Sequence, residues 1–267
     1  MRDGRDALVI GSAEELWQGK TRRDFLRLLG VGGSVVLLPS LFACDDDDDD
    51  DNGGTGTSNA VVLNLSNDTG ILNYAFALEQ LEAGFYTAVV GSAAFNGMTV
   101  EQREVLTDLR DHEVIHREFF RRVLGGNAIG DLALNQSTVN TAISSAANIL
   151  KNAEAFEDLG VAAYNGAGKY LTTAANLEVA GKIVSVEARH AAAIRDLREG
   201  MNLAGTPANT RFAGDDVVNA MGLDVKLEPS AVLTRVVATQ FVMTSVTIGT
   251  GPSGTASADF GPPNPTP

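Results

Sequence analysis

The stretch "LRDHEVIHREFF", Leu109 to Phe120, sets a glutamate three residues before a histidine inside an amphipathic pattern. One helical turn brings such positions onto a common face, so Glu113 and His116 can reach the same point. Whether that point is a metal-binding edge or a wet surface depends on the rest of the chain. It has three histidines, His112, His116 and His190. His190 stands in "SVEARHAAAIR", again three residues after a glutamate, Glu187. His112 lies beside the apolar stripe rather than on it and reads as solvated.

Around these pairs the periodicity is helical. From about Asp68, Leu72, Ala75, Ala83, Tyr86 and Val90 form a stripe with Glu79 at the three-and-four spacing of an amphipathic helix. A second helix is predicted from Thr99, with Gln102 placed for a capping box, to the pair Gly125 and Gly126. A third should run from Ser137 to about Gly166, and a fourth from Leu171 to Gly200 with Gly181 inside it. Hydrophobic residues make up 44% of the chain and aromatics only 6%, a balance that favours helices over a β-sandwich. The expected fold is all-α, an antiparallel four-helix bundle over residues 68–200 with modest loops. Residues 201–248 form an accessory segment without an assigned role. Its run "SAVLTRVVATQFVMTSVTI" is apolar and β-branched, fitting either a fifth helix or a strand.

The halves of this bundle echo each other. "EVIHREFFR" aligned on "EARHAAAIR" matches Glu113 with Glu187, His116 with His190 and Arg121 with Arg195. "LEQLEAGFY" on "FEDLGVAAY" matches Glu79 with Glu157, Leu81 with Leu159 and Tyr86 with Tyr164. Each half thus carries a Glu, a Glu-x-x-His and a Tyr seven residues after the first Glu, which would build a pseudo-twofold site.

In an antiparallel bundle the two Glu-x-x-His pairs face each other and the single glutamates close the site. Four carboxylates and two imidazoles balance two divalent ions, and hard oxygen donors with some nitrogen suit iron or manganese. The four glutamates share their stripes with Leu72, Leu106, Leu150 and Ile183. Buried without cations, they would cost many kcal/mol or stay protonated. Glu82 and Glu154, one turn from Glu79 and Glu157, are alternative ligands, although the internal alignment pairs Glu82 with Gly160.

This set of motifs resembles the ferritin-like superfamily, and within it exported ferritin-like proteins that include a desiccation-related group. The resemblance covers about Asp68 to Gly200. It implies a ferritin-like bundle in which Glu79, Glu113, His116, Glu157, Glu187 and His190 ligate two iron or manganese ions. Tyr86 and Tyr164 would hydrogen-bond carboxylates on neighbouring helices or serve as plain core tyrosines. The implied chemistry is ferrous oxidation or peroxide removal. Electron transfer through a cysteine-ligated iron is unexpected, since no CxxC is present. The alternative is a non-catalytic envelope protein for stress or desiccation tolerance.

The N-terminus bears on location. "TRRDFLRLLGVGGSVVLLPSLFAC" resembles a twin-arginine export signal, with Arg22 and Arg23 followed by Phe25, Leu26 and a short apolar run. Cys44, the one cysteine, ends "LFAC", which resembles a lipoprotein processing box and closes a signal segment over residues 1–44; this implies export to the periplasm or envelope, the twin-arginine machinery as a partner and possible lipid attachment. A lone cysteine excludes an intramolecular disulfide. Asp45 to Asp51 are seven adjacent carboxylates, which repel one another, so residues 45–67 read as a disordered tether. Residues 249–267, rich in Gly, Pro and Ser, read as a disordered tail. Residues 1–44 carry six Lys or Arg and five Asp or Glu, so taking their +1 from the total of −14 leaves −15. Such a charge argues against nucleic acid as a partner.

Overall fold

The computed structural model describes residues 60–200 and 213–251, which belong to one compact unit beginning at Asn59. Arg22, Arg23, Cys44, the aspartate run and residues 252–267 lie outside them; residues 249–251 are described, and Gly249 and Thr250 close a strand rather than begin a disordered tail. The elements in chain order are β1 (Val61–Asn64), α1 (Asp68–Val90), α2 (Ala93–Asn96), α3 (Val100–Leu124), α4 (Gln136–Ala142), α5 (Ala146–Ala167), α6 (Ala174–Gly200), α7 (Pro229–Thr239) and β2 (Val246–Thr250).

The four long helices α1, α3, α5 and α6 make the bundle. Leu72 packs in one cluster with Phe120 and Leu124, while Glu79 meets His116, so α1 and α3 run antiparallel. Tyr86 bonds Glu157 and Tyr164 bonds Glu79, which sets α5 antiparallel to α1 as well. Helices α3 and α5 therefore run the same way, and the chain between them must travel the length of the bundle.

That crossover departs from the sequence-based expectation. The third helix does not run unbroken from Ser137. After α4 ends at Ala142, Ser144 Oγ donates to Thr141 O at 2.7 Å and Ser145 caps α5 by accepting from Asn148 N. Serine side chains that bond the backbone locally compete with helical pairing, and here two in a row restart the helix. Two buried amides on α1 hold the crossover: Ile129 N donates to Asn73 Oδ1 and Leu132 N to Gln80 Oε1, both at 2.8 Å. One turn further on, a Cβ at Gly84 would lie 2.4 Å from Leu134 Cδ1.

Helix α3 starts as expected, with Thr99 and Gln102 forming a reciprocal capping box. The apolar run at 230–248 resolves into both options, α7 and then β2. Between them Gln240 takes a left-handed φ of 57°, and Phe241 enters the core beside Phe85 and Phe156. Strand β2 pairs in parallel with β1, Val61 opposite Val246. Residues 60–67 are thus not tether: Leu63 and Leu65 are each 1% exposed, and burying two leucines gives this segment a reason to be ordered.

Two glycines admit close backbone approaches. A Cβ at Gly70 would lie 1.4 Å from Asn64 O, and one at Gly166 1.7 Å from Leu227 O. Gly181, by contrast, has nothing within 4 Å. Gly70→Ala is therefore expected to destabilise by ~3 kcal/mol, the upper end of overpacking costs, lowering Tm by roughly 6–12 °C. Gly181→Ala should raise Tm by about 1–4 °C through lower helix entropy cost. Thermal unfolding followed by circular dichroism checks both, and equal shifts would refute the packing argument.

Candidate metal centre

Four helices deliver the predicted residues to one point in the bundle. Glu79 comes from α1, Glu113 and His116 from α3, Glu157 from α5, and Glu187 and His190 from α6. All four carboxylates are 0% exposed. Helical spacing sets each Glu-x-x-His pair on one inward face, and the antiparallel arrangement opposes the two pairs.

The atoms fall into two overlapping groups. Glu79, Glu113, His116 and Glu187 form one, and Glu113, Glu157, Glu187 and His190 the other, with the donor atoms of each within 4.8 Å of one another. His116 Nδ1 lies 3.4 Å from Glu79 Oε2, 3.6 Å from Glu113 Oε2 and 3.1 Å from Glu187 Oε1. His190 Nδ1 lies 3.0 Å from Glu113 Oε1, 3.2 Å from Glu157 Oε2 and 4.0 Å from Glu187 Oε2. Glu113 and Glu187 therefore give one oxygen to each group, while Glu79 and Glu157 each serve one.

The tyrosines bond crosswise. Tyr86 OH donates to Glu157 Oε1 at 2.5 Å and Tyr164 OH donates to Glu79 Oε1. Each takes one carboxylate oxygen and leaves Oε2 turned inward. The remaining inward atoms are Glu79 Oε2, both oxygens of Glu113 and Glu187, Glu157 Oε2 and Nδ1 of both histidines, and none of them has a hydrogen-bond partner. Buried polar atoms are normally satisfied. Eight unsatisfied donors divided four and four, six hard oxygens and two imidazole nitrogens, fit two divalent cations of the iron or manganese type.

The electrostatics point the same way. Burial pushes the Glu79 carboxyl up to about 7 against the pull of His116. Burial and neighbouring carboxylates raise Glu187 well above the ordinary range, and burial raises Glu157. Burial would raise Glu113 too, but the His116 and His190 imidazoles beside it outweigh that and hold it low. Burial disfavours the charged imidazoles, yet the surrounding carboxylates win and raise both histidines. Positive charge is what this cluster attracts, whether as protons or as metal.

The two alternative ligands separate. Glu82 is 4% exposed and held well above its usual carboxyl range by burial and by Glu187, Glu113, Glu157 and Glu79. Its carboxylate occupies the space a side chain at Gly160 would need, since a Cβ there would lie 3.1 Å from Glu82 Oε1. Glu154 pairs with Arg198 and belongs to neither donor group. The Arg121 and Arg195 match does not extend to equivalent surroundings: Arg121 stacks over Phe76, while Arg195 is buried against Asp158 and Asp216.

One residue corrects the sequence reading. His112 is not solvated: it is half-buried, and its Nδ1 lies 2.7 Å from His190 Nε2. His112 and His116 are four residues apart and so share a face of α3, a signal that could have placed both against α6.

A comparison with curated proteins finds no match. A family model described as a ferritin-like domain matches residues 67–200, the span from the Asn67 cap of α1 to the end of α6. With half the chain covered and the bundle carrying a buried Glu and His cluster inside that span, this protein belongs to the ferritin-like family.

Proposed function

We propose that Glu79, Glu113, His116, Glu157, Glu187 and His190 hold two iron or manganese ions, and that the metal-loaded protein oxidises ferrous iron or removes peroxide. The observation that carries this reading is the set of eight inward atoms without hydrogen-bond partners. Two such ions supply the paired one-electron changes that reduction of dioxygen or peroxide requires.

The chain's own groups have definite roles in this reading. Glu113 and Glu187 span both positions and fix their spacing. Tyr86 and Tyr164 orient Glu157 and Glu79, each holding one oxygen so that the other faces inward. Four carboxylates balance two divalent charges with neutral imidazoles. Glu82, a fifth buried carboxyl beside the cluster that burial first and the neighbouring carboxylates next push upward, can hold a proton there. Leu106, Leu150 and Ile183, all buried, exclude water from around the cluster. The Arg22 and Arg23 signal supports export of the folded, metal-loaded chain to the periplasm or envelope, and Cys44 supports attachment to the membrane there.

Protein purified without chelator should contain about two iron or manganese ions per chain by mass spectrometry, in line with the two donor groups. Glu113→Ala/His190→Ala should lose them. A folded wild type without metal would sink the redox reading and leave a carboxylate-lined structural bundle.

The pH dependence of stability should reverse on metal loading. Glu79 titrates near 7 in the folded protein against 4.5 ordinarily, so its contribution is full below 4.5 and lost as pH rises through about 7. The raised histidines lose theirs as pH rises too. Tm of the metal-free protein should therefore fall from about pH 5 to about pH 8, with Glu113, whose carboxyl is held low, adding a separate loss in stronger acid. Metal-loaded protein should instead gain Tm over that window, because protons compete with the ions. At ~100 times Kd the ions add about 2.7 kcal/mol. Differential scanning calorimetry of both forms checks the two slopes, and parallel slopes would contradict the assignment.

A further inference from the structure

The internal repeat predicts two equivalent halves, and at His112 it fails. Glu113 corresponds to Glu187 and His116 to His190, so the counterpart of His112 is Val186. The bond from His112 joins α3 to α6 next to the cluster. Its geometry is specific: Nδ1 of His112 and Nε2 of His190 are 2.7 Å apart, the ring planes differ by 11° and the centroids are 5.0 Å apart. With so short an N···N distance, that centroid separation sets the rings edge to edge in nearly one plane, where an N–H···N bond is strongest, rather than face to face.

We propose that His112 is a positioning residue that accepts the Nε2 proton of His190 and thereby makes the His190 side of the paired site the tighter of its two metal positions. The inference rests on the metal reading above. An imidazole that ligates through Nδ1 must carry its proton on Nε2, and an acceptor for that proton fixes the tautomer, aligns the ring and increases donor strength. His190 meets both conditions: Nδ1 faces Glu113 and Glu157, and Nε2 faces His112. For His116 the repeat supplies Val186 at the position of His112, and a valine has no side-chain acceptor. Two ligand groups of the same composition therefore differ in one hydrogen bond, and the ions should bind in order, first at His190.

Cobalt(II) titration of metal-stripped protein, followed by absorption and by NMR of the ligand imidazole N–H signals, tests this. The wild type should fill in two steps, with the His190 Nε2–H signal appearing in the first and exchanging slowly with water. His112→Val, which installs the residue of the other half, should weaken one step by about 10–100-fold, leave the other within about twofold, and expose the His190 N–H to fast exchange. His112→Asn, whose Oδ1 can stand near the lost Nδ1, should restore both the affinity and the slow exchange. A purely packing role predicts no such rescue. Unchanged binding in His112→Val, or equal weakening of both steps, would overturn the proposal while leaving the metal centre intact. In metal-free protein, the His190 Nε2–H should be protected in wild type and lost in His112→Val, so this readout judges the positioning role without any ion. If wild type binds no cobalt, manganese or iron, the metal reading fails, and the claim about metal order falls with it.

Discussion

Four carboxylates meeting at the centre of an apolar bundle are the constraint on which the rest of the structure depends. An isolated ionised carboxylate transferred to a low-dielectric core loses far more solvation than packing can return. Here Glu79, Glu113, Glu157 and Glu187 are all fully buried and close enough to repel. The chain offsets part of that repulsion with two imidazoles and two phenols. What remains unsatisfied is directed inward at two points. A cluster of this kind is tolerable when cations or protons neutralise it, and each helix must hold its glutamate at the correct height for either to do so.

The repeat explains how four helices agree on that height. A helix pair carrying Glu on one member and Glu-x-x-His on the other presents half a site, and a second copy in pseudo-twofold relation completes it. The crosswise tyrosines follow the same logic, since each bonds the glutamate of the other half. Departures from the repeat are therefore informative. Glu82 sits in the space that Gly160 leaves open, so that difference between the copies is complementary: a larger side chain in one is matched by none in the other. The exchange of Val186 for His112 is of the other kind, adding a hydrogen bond to one side only.

The site was readable in the sequence because its geometry is local. Glu113 and His116 share a face whatever the rest of the chain does, and the same holds for Glu187 and His190. The cap at Thr99 and Gln102 is likewise a matter of three residues. What depended on distant contacts was harder to see. The restart at Ser144 and Ser145 is a local signal, but the path of the crossover along Asn73 and Gln80 is not. The order in residues 60–67 comes from a strand that returns 185 residues later, Val61 to Val246. His112 was read as solvated from its place beside one stripe, but a bundle helix has two neighbours, and the face toward α6 is not the face toward α1.

The accessory segment, which had no role by sequence alone, lies against the part of α5 that the site uses. Leu227 N donates to Ala162 O at 2.9 Å, and Leu227 O fills the space that a side chain at Gly166 would take. Glu228 then accepts from Lys169 Nζ at 2.5 Å and from Tyr170 OH at 2.7 Å just past the helix end. Tyr164 sits between Ala162 and Gly166, and its hydroxyl bonds Glu79. A helix end without tertiary contacts frays, and fraying here would release the phenol that holds Glu79 with one oxygen inward. By pinning that last turn, the segment from Leu227 to β2 becomes part of what keeps the carboxylates in register, even though none of its residues enters the cluster.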